Sequence, residues 1–96
     1  MYFIFMLKID AYGEVEDQRC VGYYKHYNTA EHQLMRNYCD VFEEGYYQYA
    51  VVNEIKPGIY PEVNELQWFV YDDNRVFTIN NRPVELEPHW RRYLIG

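Results

Sequence analysis

The sequence predicts an α+β fold: a mainly antiparallel sheet of four to six strands with one principal helix packed on one face. Three observations lead to this prediction. Most of the 96-residue chain divides into short apolar segments separated by turn residues, which is typical of antiparallel strands. Only residues 30–42 repeat apolar side chains at helical spacing. A chain of this length forms one hydrophobic core, so we expect residues 1–96 to form a single α+β domain.

The first two strands are expected near the start of the chain. Residues 3, 5, 7 and 9 are Phe, Phe, Leu and Ile, an apolar row at period two, and the residues between them are mostly apolar as well. A strand that is apolar on both faces is expected inside a sheet rather than at its edge. Residues 11–17 (AYGEVED) predict a loop, and residues 18–24 (QRCVGYY) predict a second strand, in which Gly22 marks a bulge or a close approach.

The principal helix is expected over residues 30–42. Asn28 or Thr29 is a suitable N-terminal cap, and Glu31 has the spacing of the reciprocal partner in a capping box. Gly45 is a suitable terminator. The apolar residues at helical spacing, which form the expected buried stripe, are Ala30, Leu34, Tyr38 and Val41 or Phe42.

A third strand is expected over residues 46–55 (YYQYAVVNEI). Its odd-numbered residues, which include Tyr47 and Tyr49, are expected to face the core. Its even-numbered residues, which include Tyr46, are expected on a partly wet face.

Three more short strands are expected after the turn at Pro57–Gly58. They cover residues 66–71, 75–79 and 83–86, with tight turns at residues 73–74 and 80–81. The last strand begins with a proline, which predicts a position at the sheet edge. Residues 88–94 predict a short C-terminal helix. Because one helix covers only one face of a sheet, the other face is expected to meet solvent, the C-terminal segment or a partner.

The composition disfavours most kinds of catalysis. The chain contains 12 tyrosines and no serine, and its five glycines form no phosphate-binding loop. We therefore expect a protein that is not an enzyme and needs no cofactor or metal. A metal site of Cys20, His26 and His32 lacks a metal-binding spacing, and surface histidines are the simpler interpretation. Cys20 and Cys39 are expected to be reduced thiols in a cytoplasmic protein and to be buried as small hydrophobic residues, with a disulfide or redox role as the alternative.

The acidic charge points to the kind of partner. The first 74 residues carry 13 acidic and 5 basic side chains, whereas the last 22 carry 2 and 4. Such a surface repels the phosphates of nucleic acids and attracts a basic protein, which tyrosine also favours because its ring supplies rigid contact area. The candidate protein-binding residues are Asp10, Glu14, Glu16, Asp17, Asp40, Glu43, Glu44 and Tyr46.

Residues 19–24 (RCVGYY), 54–61 (EIKPGIYP) and the Trp68–Phe69 pair resemble small bacterial and mobile-element α+β proteins with no assigned activity. The resemblance covers residues 18–69 and implies a strand–strand–helix–strand opening, without catalytic or binding residues. In size and charge the chain is also similar to phage and mobile-element products, including anti-CRISPR inhibitors.

These observations lead to one functional hypothesis and two alternatives. The first is a non-enzymatic acidic module that binds a basic protein, as an inhibitor that mimics nucleic acid or as an adaptor. The second is a small ligand-binding domain or enzyme that uses a tyrosine-lined pocket with Cys20, His26 or Cys39. The third is a homo-oligomeric structural protein in which an exposed sheet face or edge pairs with a second copy. No membrane partner is expected, because the apolar run at the start of the chain is too short to span a bilayer.

Overall fold

The structure, a computed structural model, describes residues 1–59 and 61–86 of the chain. Within them, a five-stranded antiparallel sheet carries one α-helix on one face, which confirms the predicted fold class. The strand order across the sheet is β2-β1-β3-β4-β5. Along the chain the elements are β1 (Tyr2–Ile9), β2 (Val15–Tyr24), α1 (Tyr27–Met35), two 3-10 turns (Tyr38–Asp40 and Glu43–Gly45), β3 (Tyr49–Ile55), β4 (Val63–Asp72) and β5 (Arg75–Ile79).

The apolar first strand lies inside the sheet, as predicted. β1 pairs with β2 on one side and with β3 on the other, so both of its edges are hydrogen-bonded. Opposite β1 the register of β2 changes: Ile4 pairs with Gly22, but Phe5 pairs with Cys20. Val21 is therefore the extra residue of a bulge, which confirms the irregularity that Gly22 predicted.

The helix begins earlier than predicted, and the predicted capping box is wrong. His26 is the N-terminal cap and makes no side-chain capping hydrogen bond, whereas Asn28 and Thr29 lie inside the helix. Glu31 accepts a hydrogen bond from the Tyr27 hydroxyl at 2.8 Å instead of bonding the backbone. Burial, followed by this hydrogen bond, raises the pKa of Tyr27 to about 12.

The helix also ends earlier than predicted, and Gly45 is not its terminator. Asn37 adopts the left-handed conformation with a φ of 49°, which asparagine tolerates better than most residues. Its side-chain oxygen accepts a hydrogen bond from the N–H of Phe42 at 3.1 Å, which stabilises the turn that follows. Of the predicted stripe, Ala30, Leu34 and Phe42 are buried, but Tyr38 is exposed.

The sheet is covered on both faces, which corrects the prediction that the even-numbered residues of the third strand are partly wet. Ala50 and Val52 are fully buried, because β3 is the middle strand and α1 covers their face. Val51 is also fully buried, on the opposite face. The buried residues on the helix side are Ile4, Met6, Ala30, Leu34, Phe42, Tyr47, Ala50, Val52 and Phe69. Those on the other side are Phe5, Leu7, Ile9, Val51, Trp68 and Leu86.

The prediction of an edge strand over residues 83–86 is wrong. The N–H of Leu86 donates to the carbonyl oxygen of Pro83 at 3.0 Å, so the segment turns, and the Leu86 side chain packs on the second face of the sheet. The turn at Asp73–Asn74 is as predicted, since both residues have positive φ angles of 50° and 61°. The predicted helix over residues 88–94 lies outside the described residues.

Candidate functional site

One polar feature of the surface is a group of tyrosines and carboxylates, which we name the tyrosine–carboxylate cluster: Glu16, Asp17, Glu43, Tyr46 and Tyr47. The Tyr46 hydroxyl donates to Asp17 Oδ2 at 2.9 Å, and the Tyr47 hydroxyl donates to the same oxygen at 3.5 Å. The two phenol rings pack edge to face, with their centroids 4.9 Å apart. The cluster therefore joins the start of β2 to the residues just before β3.

The two tyrosines of the cluster have different environments, as predicted. Tyr47 is 3% exposed and belongs to the helix-side core, whereas Tyr46 is 42% exposed. The hydrogen bond to Asp17 raises the pKa of Tyr46, and burial raises the pKa of Tyr47. Both hydroxyls are therefore protonated donors at neutral pH, and the Asp17 carboxylate that accepts them stays in place beside an exposed aromatic ring.

Two basic residues, which the sequence analysis missed, also contact the cluster. Lys8 Nζ lies 3.6 Å from Glu16 Oε2 and 4.8 Å from the centroid of the Tyr46 ring. Arg19 Nη1 lies 3.7 Å from Glu43 Oε2. Lys8 pairs with Asp17 across the β1–β2 ladder, so a correct strand register would have placed it here. Exposed ion pairs of this kind contribute little to stability, so a partner can exchange them at small cost.

The acidic segment that follows the helix has an unusual backbone. Between residues 37 and 44, five residues other than glycine have φ angles of 49° to 56°. Asparagine and aspartate tolerate this conformation, whereas it is unfavourable for Cys39, Glu43 and Glu44. The N–H of Glu44 donates to Asp40 Oδ1 at 3.1 Å, which helps to hold the turn. The fold thus places Asp40, Glu43 and Glu44 on an exposed turn, and strained backbones of this kind are often found at functional sites.

Two of the predicted binding residues, Asp10 and Glu14, lie outside the tyrosine–carboxylate cluster. Asp10 and Glu14 lie in the turn between β1 and β2, where Asp10 Oδ1 accepts hydrogen bonds from the N–H groups of Tyr12 at 2.8 Å and Glu14 at 3.0 Å. This is a turn-forming role for Asp10. Glu16, Asp17, Glu43 and Tyr46 therefore belong to the cluster, where each contacts another member or one of the two bases. Asp10 and Glu14 instead lie at the tip of the hairpin.

The tyrosine-lined pocket of the second hypothesis has a counterpart at the end of the sheet. A cleft of about 430 Å³ is lined by Tyr49 and Tyr71 and by three carboxylates, Asp10, Asp72 and Glu85. The Tyr49 hydroxyl donates to Glu85. Cys20, His26 and Cys39 do not line this cleft, so it lacks the nucleophile and base that the enzyme version of the hypothesis used.

The two cysteines are exposed free thiols that lie beside the acidic turn, so the expectation that both are buried is wrong. Both line an open cleft together with Arg19, Asp40 and Glu43. Burial around the sulfur raises the pKa of the Cys20 thiol, so little of it is the reactive thiolate at neutral pH. Among the residues that the structure describes, no three histidine, cysteine or acidic side chains converge as metal ligands, and Cys20, His26 and His32 do not come together.

No helix in residues 1–59 or 61–86 is long and apolar enough to span a bilayer. Comparisons of the chain with protein-family models, with curated proteins and with solved structures found no match.

Proposed function

We propose that this protein is an acidic binding module that uses the tyrosine–carboxylate cluster and the adjoining acidic turn to bind a basic protein. As an inhibitor, it would occupy the surface of a nucleic-acid-binding protein that otherwise contacts phosphates; as an adaptor, it would hold such a protein without blocking it. The observation that carries the proposal is the exposed Tyr46 ring, held against Asp17 and flanked by Glu16 and Glu43.

The charge balance around the cluster supports a basic partner. Of the seven predicted acidic residues, Glu16 and Glu43 form ion pairs within the described residues, and the other five do not. Those five are Asp10, Glu14, Asp17, Asp40 and Glu44. The remaining carboxylates leave an uncompensated negative field, which speeds the encounter with a basic protein and favours it over an acidic one.

The shape of the site supports protein recognition rather than counterion binding alone. An exposed tyrosine ring supplies contact area at low entropic cost, and tyrosine is a frequent hot spot at protein interfaces. The Tyr46 ring is fixed by its hydrogen bond to Asp17 and by its packing on Tyr47, so little side-chain entropy is lost when a partner covers it.

The test uses protamine, a strongly basic nucleic-acid-binding protein, as the probe. Binding to the purified protein is measured by isothermal titration calorimetry at several salt concentrations, with duplex DNA as a competitor. We expect affinity to fall as salt rises, because the charges are exposed and screened, and we expect DNA to displace the module. Light scattering of the free protein in the same buffers shows whether self-association, the third hypothesis, contributes.

Matched variants locate the site. The double reversal Glu43→Lys with Glu44→Lys should weaken protamine binding by about 10-fold. The control reversal Glu62→Lys with Asp72→Lys changes the net charge equally at exposed positions elsewhere and should change binding much less. Equal losses in both double variants would show that protamine senses only the net charge, and the proposed site would then be wrong.

Tyr46 separates contact area from hydrogen bonding. Tyr46→Ala should weaken binding by about 10-fold, because it removes the ring, and it should barely change the melting temperature. Tyr46→Phe keeps the ring and should retain most of the affinity. Tyr47→Ala should act mainly by unfolding, since Tyr47 is buried. Wild-type affinity in Tyr46→Ala would contradict the role of the ring.

A further inference from the structure

The two edges of the sheet differ in their protection against pairing with another strand. β2 forms one edge and β5 forms the other. β2 carries Glu16 and Asp17 and is interrupted by the bulge at Val21, and charges and bulges of this kind prevent strand addition. β5 contains neither a bulge nor a proline, and after Arg75 it consists of β-branched and aromatic residues (VFTI). It is therefore the edge that suits pairing.

The outer side of β5 is open. Phe77 is 45% exposed, and Thr78 is exposed as well. The chain that follows β5 turns back towards the rest of the sheet, because Arg82 bonds Glu65 of β4 and Leu86 packs on the second face. Across residues 1–59 and 61–86, no strand pairs with β5 on the side away from β4.

The hairpin geometry determines which backbone groups of β5 face outward. A two-residue turn joins β4 to β5, and their pairing has no register shift. In such a hairpin the pair next to the turn is hydrogen-bonded, and the two kinds of pair then alternate. The odd-numbered residues of β5 therefore bond β4, whereas the N–H and C=O groups of Val76 and Thr78 point away from it. In the described part of the chain, no backbone hydrogen bond outside the β4–β5 ladder involves either residue.

We propose that β5 pairs with β5 of a second copy of this chain, in an antiparallel dimer whose twofold axis passes beside Phe77. Val76 then lies opposite Thr78 of the second copy, and each such pair exchanges two hydrogen bonds, so all the outward groups are satisfied. Phe77 lies opposite its own copy as a non-hydrogen-bonded pair, in which side chains are closest and aromatic contacts stabilise the sheet. Arg75 lies opposite Ile79, so no like charges face each other directly.

The dimer leaves the tyrosine–carboxylate cluster free. The cluster includes Asp17 of β2, and β1, β3 and β4 separate β2 from β5. The two interactions are thus independent, and neither rests on the other. A dimer carries one cluster towards each outer edge of the joined sheet, which is an arrangement that allows bivalent binding of a long basic chain.

The first test measures self-association by sedimentation equilibrium at low and high salt. The interface is small, so the protein is examined up to about 1 mM. Each copy has a net charge of −6, so the two copies repel each other and salt screens that repulsion. We expect dimerisation to strengthen as salt rises, whereas protamine binding should weaken, and this difference separates the two interactions.

Two variants locate the interface. Thr78→Pro removes an outward N–H without affecting the β4–β5 ladder, and proline is tolerated at such edge positions. Because each dimer loses two hydrogen bonds, association should weaken by about 10-fold. Phe77→Ala removes the aromatic pair and should also weaken it. The matched control is Tyr23→Ala, which removes an exposed ring from the other edge strand and should leave self-association unchanged.

Cross-linking tests the register. The two native cysteines are first replaced with alanine, and one new cysteine is then introduced. Phe77→Cys should form disulfide-linked dimers in a glutathione buffer, because position 77 faces itself across the axis. Thr78→Cys should form far fewer, since position 78 faces position 76 of the second copy.

Three outcomes would overturn the proposal: a monomer at every protein and salt concentration, undiminished association in folded Thr78→Pro, or equal cross-linking by the two introduced cysteines. Loss of association in Tyr23→Ala would assign the contact to β2 and would also refute it. If Thr78→Pro does not fold, the salt dependence of the wild type and the cross-linking comparison still decide the question.

Discussion

Replacing Asn53 with valine should stabilise the protein, although Asn53 lies in the centre of the sheet. Asn53 is fully buried in β3, where it pairs with Phe3 of β1 and Glu65 of β4. Neither its side-chain nitrogen nor its side-chain oxygen has a hydrogen-bond partner among the described residues. Folding therefore removes an amide from water without replacing its hydrogen bonds.

The size of the effect follows from this lost hydration. An unpaired buried polar group costs about 1–3 kcal/mol, and a buried apolar side chain avoids that cost. Valine is close to asparagine in size and is favoured in strands. We expect Asn53→Val to raise the free energy of unfolding by about 1–3 kcal/mol. For a domain of this size, each kcal/mol raises the melting temperature by about 4–8 °C.

The assay is urea unfolding followed by circular dichroism, with Asn64→Val as the matched control. Asn64 is exposed in β4, so the control measures strand propensity alone and should stay within about 0.5 kcal/mol of the wild type. A loss of stability in Asn53→Val would refute the reasoning, because it would show that the amide is paired in the folded protein.

A charged variant at the same position tests its burial independently. Asn53→Asp should be unstable at neutral pH, because a buried, unpaired carboxylate is costly. Burial raises the folded-state pKa of such a carboxyl above its unfolded value, so stability should be highest in acid and decrease as pH rises through the folded-state pKa. A variant with no such pH dependence would indicate that position 53 is solvated.

Three further predictions concern the helix and the thiols. Leu34→Ala should lower the free energy of unfolding by about 2–5 kcal/mol, because Leu34 is buried. Met35→Ala, on the exposed face of the same helix, should change it by less than about 0.5 kcal/mol. Equal urea midpoints for the two variants would contradict the placement of the helix. The folded-state pKa of Tyr27 is about 12 against a usual value of 10.0, so its contribution to stability is present below pH 10 and is lost as pH rises towards 12. Tyr27→Phe should therefore reduce the alkaline loss of stability measured by urea unfolding between those pH values, and an unchanged pH slope would contradict this. Replacing Cys20 and Cys39 together with alanine should leave protamine affinity unchanged, and a loss of binding in a folded double variant would support a functional role for the thiols.

Much of the local structure could be predicted from the sequence. The apolar row of β1, the bulge beside Gly22 and the turn at Asp73–Asn74 each depend on residues close together in the chain. The exposure of Tyr46 and the burial of Tyr47 were also predicted, although Tyr47 precedes β3 and packs with the helix-side cluster. Local preferences are sufficient in these cases because period-two burial and left-handed turn conformations are properties of a few neighbouring residues.

The limits of the helix show where local preference fails. Asn28, Thr29 and Glu31 have the composition of a capping box, but Glu31 accepts a hydrogen bond from the Tyr27 hydroxyl instead of capping the helix. Asn37 then ends the helix before Gly45, and its side chain bonds the backbone of Phe42, which is anchored in the core. Several residues satisfied the local rules for a helix end, and long-range packing selected among them.

The candidate site depends even more on the tertiary structure. Composition alone indicated an acidic, tyrosine-rich surface, but Asp17 and Tyr46 are 29 residues apart, and only the fold brings them into hydrogen-bond contact. The same is true of the ion pair between Arg19 and Glu43.

The sequence by itself determined the fold class, the buried first strand and the residue types of the acidic surface, because hydrophobic periodicity and charge are encoded locally. Only the tertiary structure decided that β3 is the central strand with both faces buried, that Lys8 and Arg19 join the cluster, and that Asn53 is buried without a hydrogen-bond partner among the described residues. The physical reason is that strand order, register and shared burial are set by contacts between distant parts of the chain, whose free energies local sequence patterns do not contain.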